Sequence, residues 1–225
     1  MITRQRAALV AVVAGTAGCL ALAYLSSTGR LPALASVSIA LTPPLAGAVA
    51  LCWRSRLRSP ALLAALALVV AAVFHLDWLS QHVSALWFVQ HVAAHAMLAL
   101  VFGRTLLPGK VPLTTRIARA VLPTMPEAVV KYSRGVTLAW TIYFVTMAVV
   151  SVAIYFGSST AVWSTFATAV SGPLVALMFV LEFAVRRCVL PASHCGTIAQ
   201  SVAGFRALMR EPAARPTLPV RQPHG

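Results

Sequence analysis

Three of the six histidines stand in one stretch, HVSALWFVQHVAAHAM (residues 82–97), with Gln90 among residues otherwise almost all apolar. His91 and His95 are four apart and share one face of a helix. Neutral imidazoles there can bind a metal or haem, relay protons, or hydrogen-bond to neighbouring helices. His75 and Asp77 lie just upstream, and antiparallel packing of the two segments would bring His75 toward His91. Ionisable groups inside a bilayer are costly and often mark a path. The spacing favours packing and hydrogen bonding. A proton or substrate path through His75, Asp77, His91 and His95 is one alternative, and a bis-histidine haem or metal at His91 and His95 is another. Desaturase-type enzymes also carry HxxxH, but the further histidine boxes they need are missing.

No other pattern points to catalysis. The chain has no GxSxG, P-loop, clustered carboxylates or Asp-rich metal motif. Cys188, His194 and Cys195 are close in sequence but lack the paired four-ligand spacing of a structural zinc site. They are read as an ordinary imidazole and thiols. No cofactor, no metal and no catalytic residue is expected.

The elements that must position these residues follow from composition. Of 225 residues, 60% are hydrophobic and 10% charged, against about 25% charged in soluble domains. Several apolar runs approach the roughly 20 residues that cross a bilayer as a helix. They lack the period-2 alternation of a barrel. The expected fold is therefore all-α, a six-span transmembrane bundle over residues 1–191. Its spans are about 7–25, 35–53, 60–78, 84–102, 136–156 and 161–185, with a cytoplasmic tail over 192–225. The first run resembles a signal peptide, yet it continues unbroken through Cys19 and is read as a retained helix.

Charge gives the orientation. The net charge is +14, from eighteen Lys and Arg against four acids. With six spans, every Lys and Arg except Arg30 falls on one side. Positive residues mark the cytoplasmic side, so both termini are expected there, in a bacterial inner membrane. Trp53 and Trp140 then fall at cytoplasmic ends, and Trp78, Tyr155 and Trp163 at outer ends, as interface belts. Positive-inside loops and lipid head groups account for the charge. No aromatic-interleaved basic platform is present, so nucleic acid is not an expected partner.

Smaller features refine this reading. Pro43-Pro44 and Gly172-Pro173 each remove helix hydrogen bonds, which predicts a kink or break. PLTTRIARAVL places Leu113, Ile117 and Val121 on one helical face and Arg116 and Arg119 opposite, as in a helix lying on an anionic leaflet. TMPE (124–127) reads as a capping box. Ile198, Val202, Phe205 and Met209 repeat with helical period, predicting a second surface helix before a proline-rich, disordered end. Glu182 precedes Arg186 by four residues, which favours an ion pair; the alternative partners are Arg104 and Arg134. An inverted repeat of transporter type is not supported, because span five has no counterpart to the prolines of span two.

The segments FGRTLLPG (102–109), PLTTRIAR (112–119), YSRGVTLAW (132–140), VWSTFA (162–167) and PLVALMFVLEFAVRRCVLP (173–191) together resemble a family of small bacterial inner-membrane proteins. Genes of that family sit among ketosynthase, acyl-carrier and acyl-ligase genes of aryl-polyene or xanthomonadin-like pigment clusters. The family pattern differs in having an arginine where Leu107 stands and an asparagine where Thr168 stands. The matching positions are Gly103, Arg104, Thr105, Arg134, Trp140, Glu182, Arg186 and Arg187. The resemblance implies a non-enzymatic anchor or accessory subunit for lipid-linked polyene synthesis. Arg104, Arg116, Arg119, Arg134, Glu182, Arg186 and Arg187 would form its cytoplasmic face toward lipids. An acidic acyl carrier protein or a polyene-synthesis enzyme would dock there. A transporter or flippase for a lipidic product, and a haem- or metal-bearing redox protein, are the alternatives.

Overall fold

The computed structural model describes residues 2–54, 58–119 and 126–191. The expected tail helix over 198–209, the proline-rich end, Thr124, Val121, His194 and Cys195 lie outside the described residues. Among the described residues every regular element is helical. The elements are α1 (Ile2–Ser27), α2 (Ala33–Arg54), α3 (Arg58–Phe74), α4 (Leu76–Gln81), α5 (Val83–Arg104), α6 (Leu113–Arg119), α7 (Glu127–Gly157), α8 (Thr160–Thr165) and α9 (Ser171–Val189). A π-helical turn, Phe166–Val170, joins α8 to α9.

Three segments are long and apolar enough to cross a membrane: Val83–Arg104, Glu127–Gly157 and Thr160–Val189. Val13–Ser27 and Ala33–Val49 are shorter apolar stretches within α1 and α2. Of the six expected spans, then, three meet the length and apolarity of a membrane-crossing helix. The third expected span, 60–78, is not one helix. It ends at Phe74, leaves helical geometry at His75 (φ −107°, ψ 23°) and resumes as α4, which closes at His82 (φ −114°, ψ 19°). His82 stabilises that corner: its Nδ1–H donates to the Trp78 carbonyl at 2.8 Å, and its ring stacks on Trp78 at 4.5 Å. The expected outer loop is thus a helical corner.

The chain divides into two units, Met1–Ala99 with Ile142–Phe179, and Leu100–Thr141 with Val180–Gly225. In the first unit, α1 ends in a Schellman turn. Gly29 takes φ +68°, its N–H meets the Ser26 carbonyl, and the Arg30 N–H reaches back to Leu25. The turn reverses the chain into α2. Ser26 Oγ then donates to the Ser36 carbonyl and accepts from Trp87 Nε1 at 3.0 Å, while Ser27 Oγ meets Ser164 Oγ at 2.9 Å. These hydroxyls tie the end of α1 to α2, α5 and α8.

One of the two proline sites interrupts its helix as expected, the one at Gly172-Pro173. α2 runs through Pro43 and Pro44. Pro44 has no N–H for the Ala40 carbonyl, and Gln90 Nε2 supplies the missing donor at 3.0 Å. Before Pro173 the helix widens instead. The Ser171 N–H and its hydroxyl both donate to the Phe166 carbonyl, five residues back. That π turn gives the proline ring room against the preceding turn.

Burial is inverted relative to a soluble protein. Ser26, Ser36, Ser151, Ser164, Thr115 and Thr137 are buried, while Val89, Met97, Val149 and Phe156 are exposed. Hydrocarbon outside gives large aliphatic side chains no reason to turn inward, so helices meet through small and hydroxyl residues. The aromatic belts are corrected for the same reason. Trp163 is 1% exposed and Trp140 6%, so both are core residues; Trp78 is exposed. Trp163 is drawn in because its indole N–H donates to Ser151 Oγ at 3.0 Å.

Replacing Gln90 with Leu is expected to leave the Ala40 carbonyl unpartnered and to lower stability by about 1 kcal/mol, the scale of a hydrogen bond inside a membrane bundle. Reversible unfolding in mixed micelles, followed by tryptophan fluorescence, measures it. Unchanged stability would show that the carbonyl needs no donor.

Candidate functional sites in each unit

In the first unit, His91 projects from α5 between α7 and the π turn. Its Nδ1 is 3.1 Å from Ser151 Oγ and its Nε2 is 3.2 Å from Ser171 Oγ. The neighbours assign the protons. Ser151 Oγ accepts from Trp163 Nε1, so its own O–H is free to donate to Nδ1. Ser171 donates to Phe166, so its oxygen accepts from Nε2–H. One neutral tautomer satisfies every group in the chain. His95 Nδ1 donates to the His91 carbonyl at 2.8 Å, and the two rings lie 4.4 Å apart.

Three of the four ring nitrogens in the pair are therefore engaged within the protein, leaving His95 Nε2. Both imidazoles also project from one helix face one turn apart, so they do not oppose each other as axial haem ligands must. Among the described residues no group of three or more His, Cys, Asp or Glu is placed to hold a metal ion. The expected approach of His75 to His91 is not made. His75 and Asp77 are exposed at the α3–α4 corner.

Beside His91 lies a cavity of about 580 Å³. Its wall is apolar with a few polar groups: Leu20, Trp87, Gln90, His91, Trp163 and Thr168. Pro43 and Pro44 form another side. Size and lining suit a ligand with a large apolar part. Trp87, Gln90 and Trp163 went unread in the sequence as a group; the available signal was the missing N–H of Pro44, which requires a donor from elsewhere.

The second unit holds every position that carries the family resemblance outside VWSTFA and the first half of α9. Its helices meet through hydroxyls. Thr115 Oγ1 and Ser133 Oγ are 2.6 Å apart, and Thr114 Oγ1 donates to the Ser133 carbonyl and lies 2.7 Å from Thr137 Oγ1. The Leu113 N–H donates to Thr105 Oγ1 at 3.0 Å. Helix α6 therefore docks on α7 through Thr114 and Thr115, with Leu113 and Ile117 only half-buried. Gly103 is explained by packing, since a Cβ there would stand 3.3 Å from Thr141 Cγ2.

Glu182 pairs with Arg186, at 2.7 Å from Nη2 to Oε1 and 2.8 Å to Oε2, and Tyr132 O–H donates to Oε1 at 3.1 Å. Arg104 and Arg134 are not its partners. Arg134 Nη2 instead donates to the Leu106 carbonyl at 3.0 Å, and Arg187 lies over the Phe183 ring at 5.7 Å. Arg104, Arg116 and Arg119 are exposed. With Glu182 neutralised by Arg186, the exposed charge of this unit is cationic, and Glu127 is its one remaining acid among the described residues.

Comparison of the chain with family models, with curated proteins and with solved structures finds no match.

Ser133→Ala removes the partner of Thr115 and is expected to loosen α6. Amide exchange over 113–119 should speed up about fivefold, as loss of roughly 1 kcal/mol implies. Unchanged protection would mean that another contact holds α6.

Proposed function

We propose that this chain is a six-span protein of the bacterial inner membrane, with both termini cytoplasmic, acting as a non-catalytic accessory subunit in lipid-linked polyene pigment synthesis. The orientation rests on the Lys and Arg asymmetry. The pathway rests on the resemblance carried by residues 102–191. The non-catalytic role rests on the same resemblance.

The observation that carries the docking role is the uncompensated cationic surface of the second unit. Arg116 and Arg119 are exposed on α6, which is held by Thr114 and Thr115. A helix offering two guanidinium groups with no acidic partner among the described residues suits an acidic partner such as an acyl carrier protein. Such charges act mainly by speeding encounter and excluding wrong partners. A second reading, a flippase for the lipidic product, is favoured by the cavity beside His91.

Orientation is testable with single cysteines in a chain whose own cysteines are replaced by serine. An impermeant maleimide added to intact spheroplasts should label position 30 or 158 and spare position 109; the reverse pattern overturns the topology. For docking, Arg116→Glu with Arg119→Glu should reduce capture of the cluster's acyl carrier protein about tenfold or more while the protein still inserts. Full capture by that variant sinks the docking role. If pigment is then made but stays at the inner leaflet in the His91→Ala, His95→Ala variant, the flippase reading replaces it.

A further inference from the structure

Arg134 is held in place by one contact, its bond to the Leu106 carbonyl. That bond fixes the guanidinium beside a notch of about 270 Å³ lined by Leu106, Lys131, Arg134, Gly135 and Leu138. Lys131 and Arg134 stand one turn apart on α7, and both are exposed. Glu127 lies one turn before Lys131, yet the one ion pair among the described residues is Arg186 with Glu182. Two cations therefore flank the notch with no carboxylate between them.

Gly135 has no packing reason to be glycine. A Cβ built there meets nothing within 4 Å. Glycine in a helix interior costs about 1 kcal/mol against alanine, and here it leaves open space beside the two cations. Past the gap the wall becomes apolar, because Leu138, the next residue along that face, is 49% exposed. Along α7, a helix long and apolar enough to cross a membrane, the order is thus cation, cation, gap, leucine. That is the order of an anionic head group followed by a hydrocarbon chain.

We propose that this notch is a specific site for the phosphate of an anionic membrane phospholipid, with Lys131 and Arg134 holding the phosphate and Leu106 and Leu138 lying against the start of its chain. A fixed guanidinium is better prepared than a mobile one to bind phosphate oxygens in pairs. Charge complementarity selects the head group, and the leucine wall selects a lipid over a soluble anion. The site is separate from the α6 arginines and does not depend on the carrier-protein reading.

The test is native mass spectrometry of the full-length protein released from nanodiscs of equal phosphatidylglycerol and phosphatidylcholine. The unmodified chain should retain phosphatidylglycerol selectively. Lys131→Gln with Arg134→Gln should lower that retention roughly thirtyfold, taking about 1 kcal/mol for each cation at the surface. Gly135→Leu is the decisive variant, because it keeps both cations, improves the helix and fills the gap. It should abolish selective retention, whereas diffuse attraction to a basic face would leave retention unchanged and overturn the site. Arg116→Gln with Arg119→Gln should retain the lipid; loss there would also overturn the proposal. Glycerol 3-phosphate at millimolar concentration should fail to displace the lipid, and full displacement would mean that the leucine wall contributes nothing. Loss of carrier-protein capture in the Gly135→Leu variant, with lipid retention intact, would assign the notch to the protein partner instead.

Discussion

Association without a hydrophobic drive is the constraint on which this structure depends. Helices surrounded by hydrocarbon gain little by burying leucine against leucine, so what joins them must be close packing and polar contact. Each unit answers with hydroxyls. In the first, Ser26, Ser27, Ser151, Ser164 and Ser171 link α1, α2, α5, α7, α8 and the start of α9. In the second, Thr105, Thr114, Thr115, Ser133 and Thr137 link the α5 end, α6 and α7. Serine and threonine are short, so backbones approach closely, and each hydroxyl both donates and accepts. A chain of them leaves few polar groups unpaired.

Breaks in the helices obey the same rule. A proline inside a membrane frees a carbonyl that water cannot reach. Pro44 is answered from another helix, by Gln90, and Pro173 is answered locally, by a π turn that also places Ser171 against His91. The histidine stretch takes part in this repair. His91 joins the hydroxyl chain running from Trp163 to Phe166, and Gln90 closes the gap in α2. The cavity between them is what remains where two proline rings and two indoles do not fill the space.

The second unit uses its charges differently from each other. Glu182 is held by Arg186 and Tyr132, and Arg134 is held by a backbone carbonyl. Arg104, Lys110, Arg116, Arg119 and Lys131 remain as exposed cations without such a tether in the described part of the unit, and Arg187 rests on an aromatic face. An isolated count of basic residues treats these as one surface. Their contacts separate them into an ion pair, a tethered arginine and a set of untethered exposed cations.

Much of the architecture was legible in the chain itself. Apolar run lengths specify helices, and α1, α2, α5 and the α8–α9 segment begin and end within a few residues of the expected spans. The Glu182–Arg186 pair follows from four-residue spacing alone, because a helix places those side chains together whatever surrounds them. Tertiary structure decided what spacing cannot carry. The break at His75, the tautomer and partners of His91, the burial of Trp140 and Trp163, and the docking of α6 through threonines all depend on which helix lies opposite. Periodicity reports which face a residue is on, but hydroxyls and ring nitrogens take their roles from the partner across that face, and the partner is known only once the helices are packed.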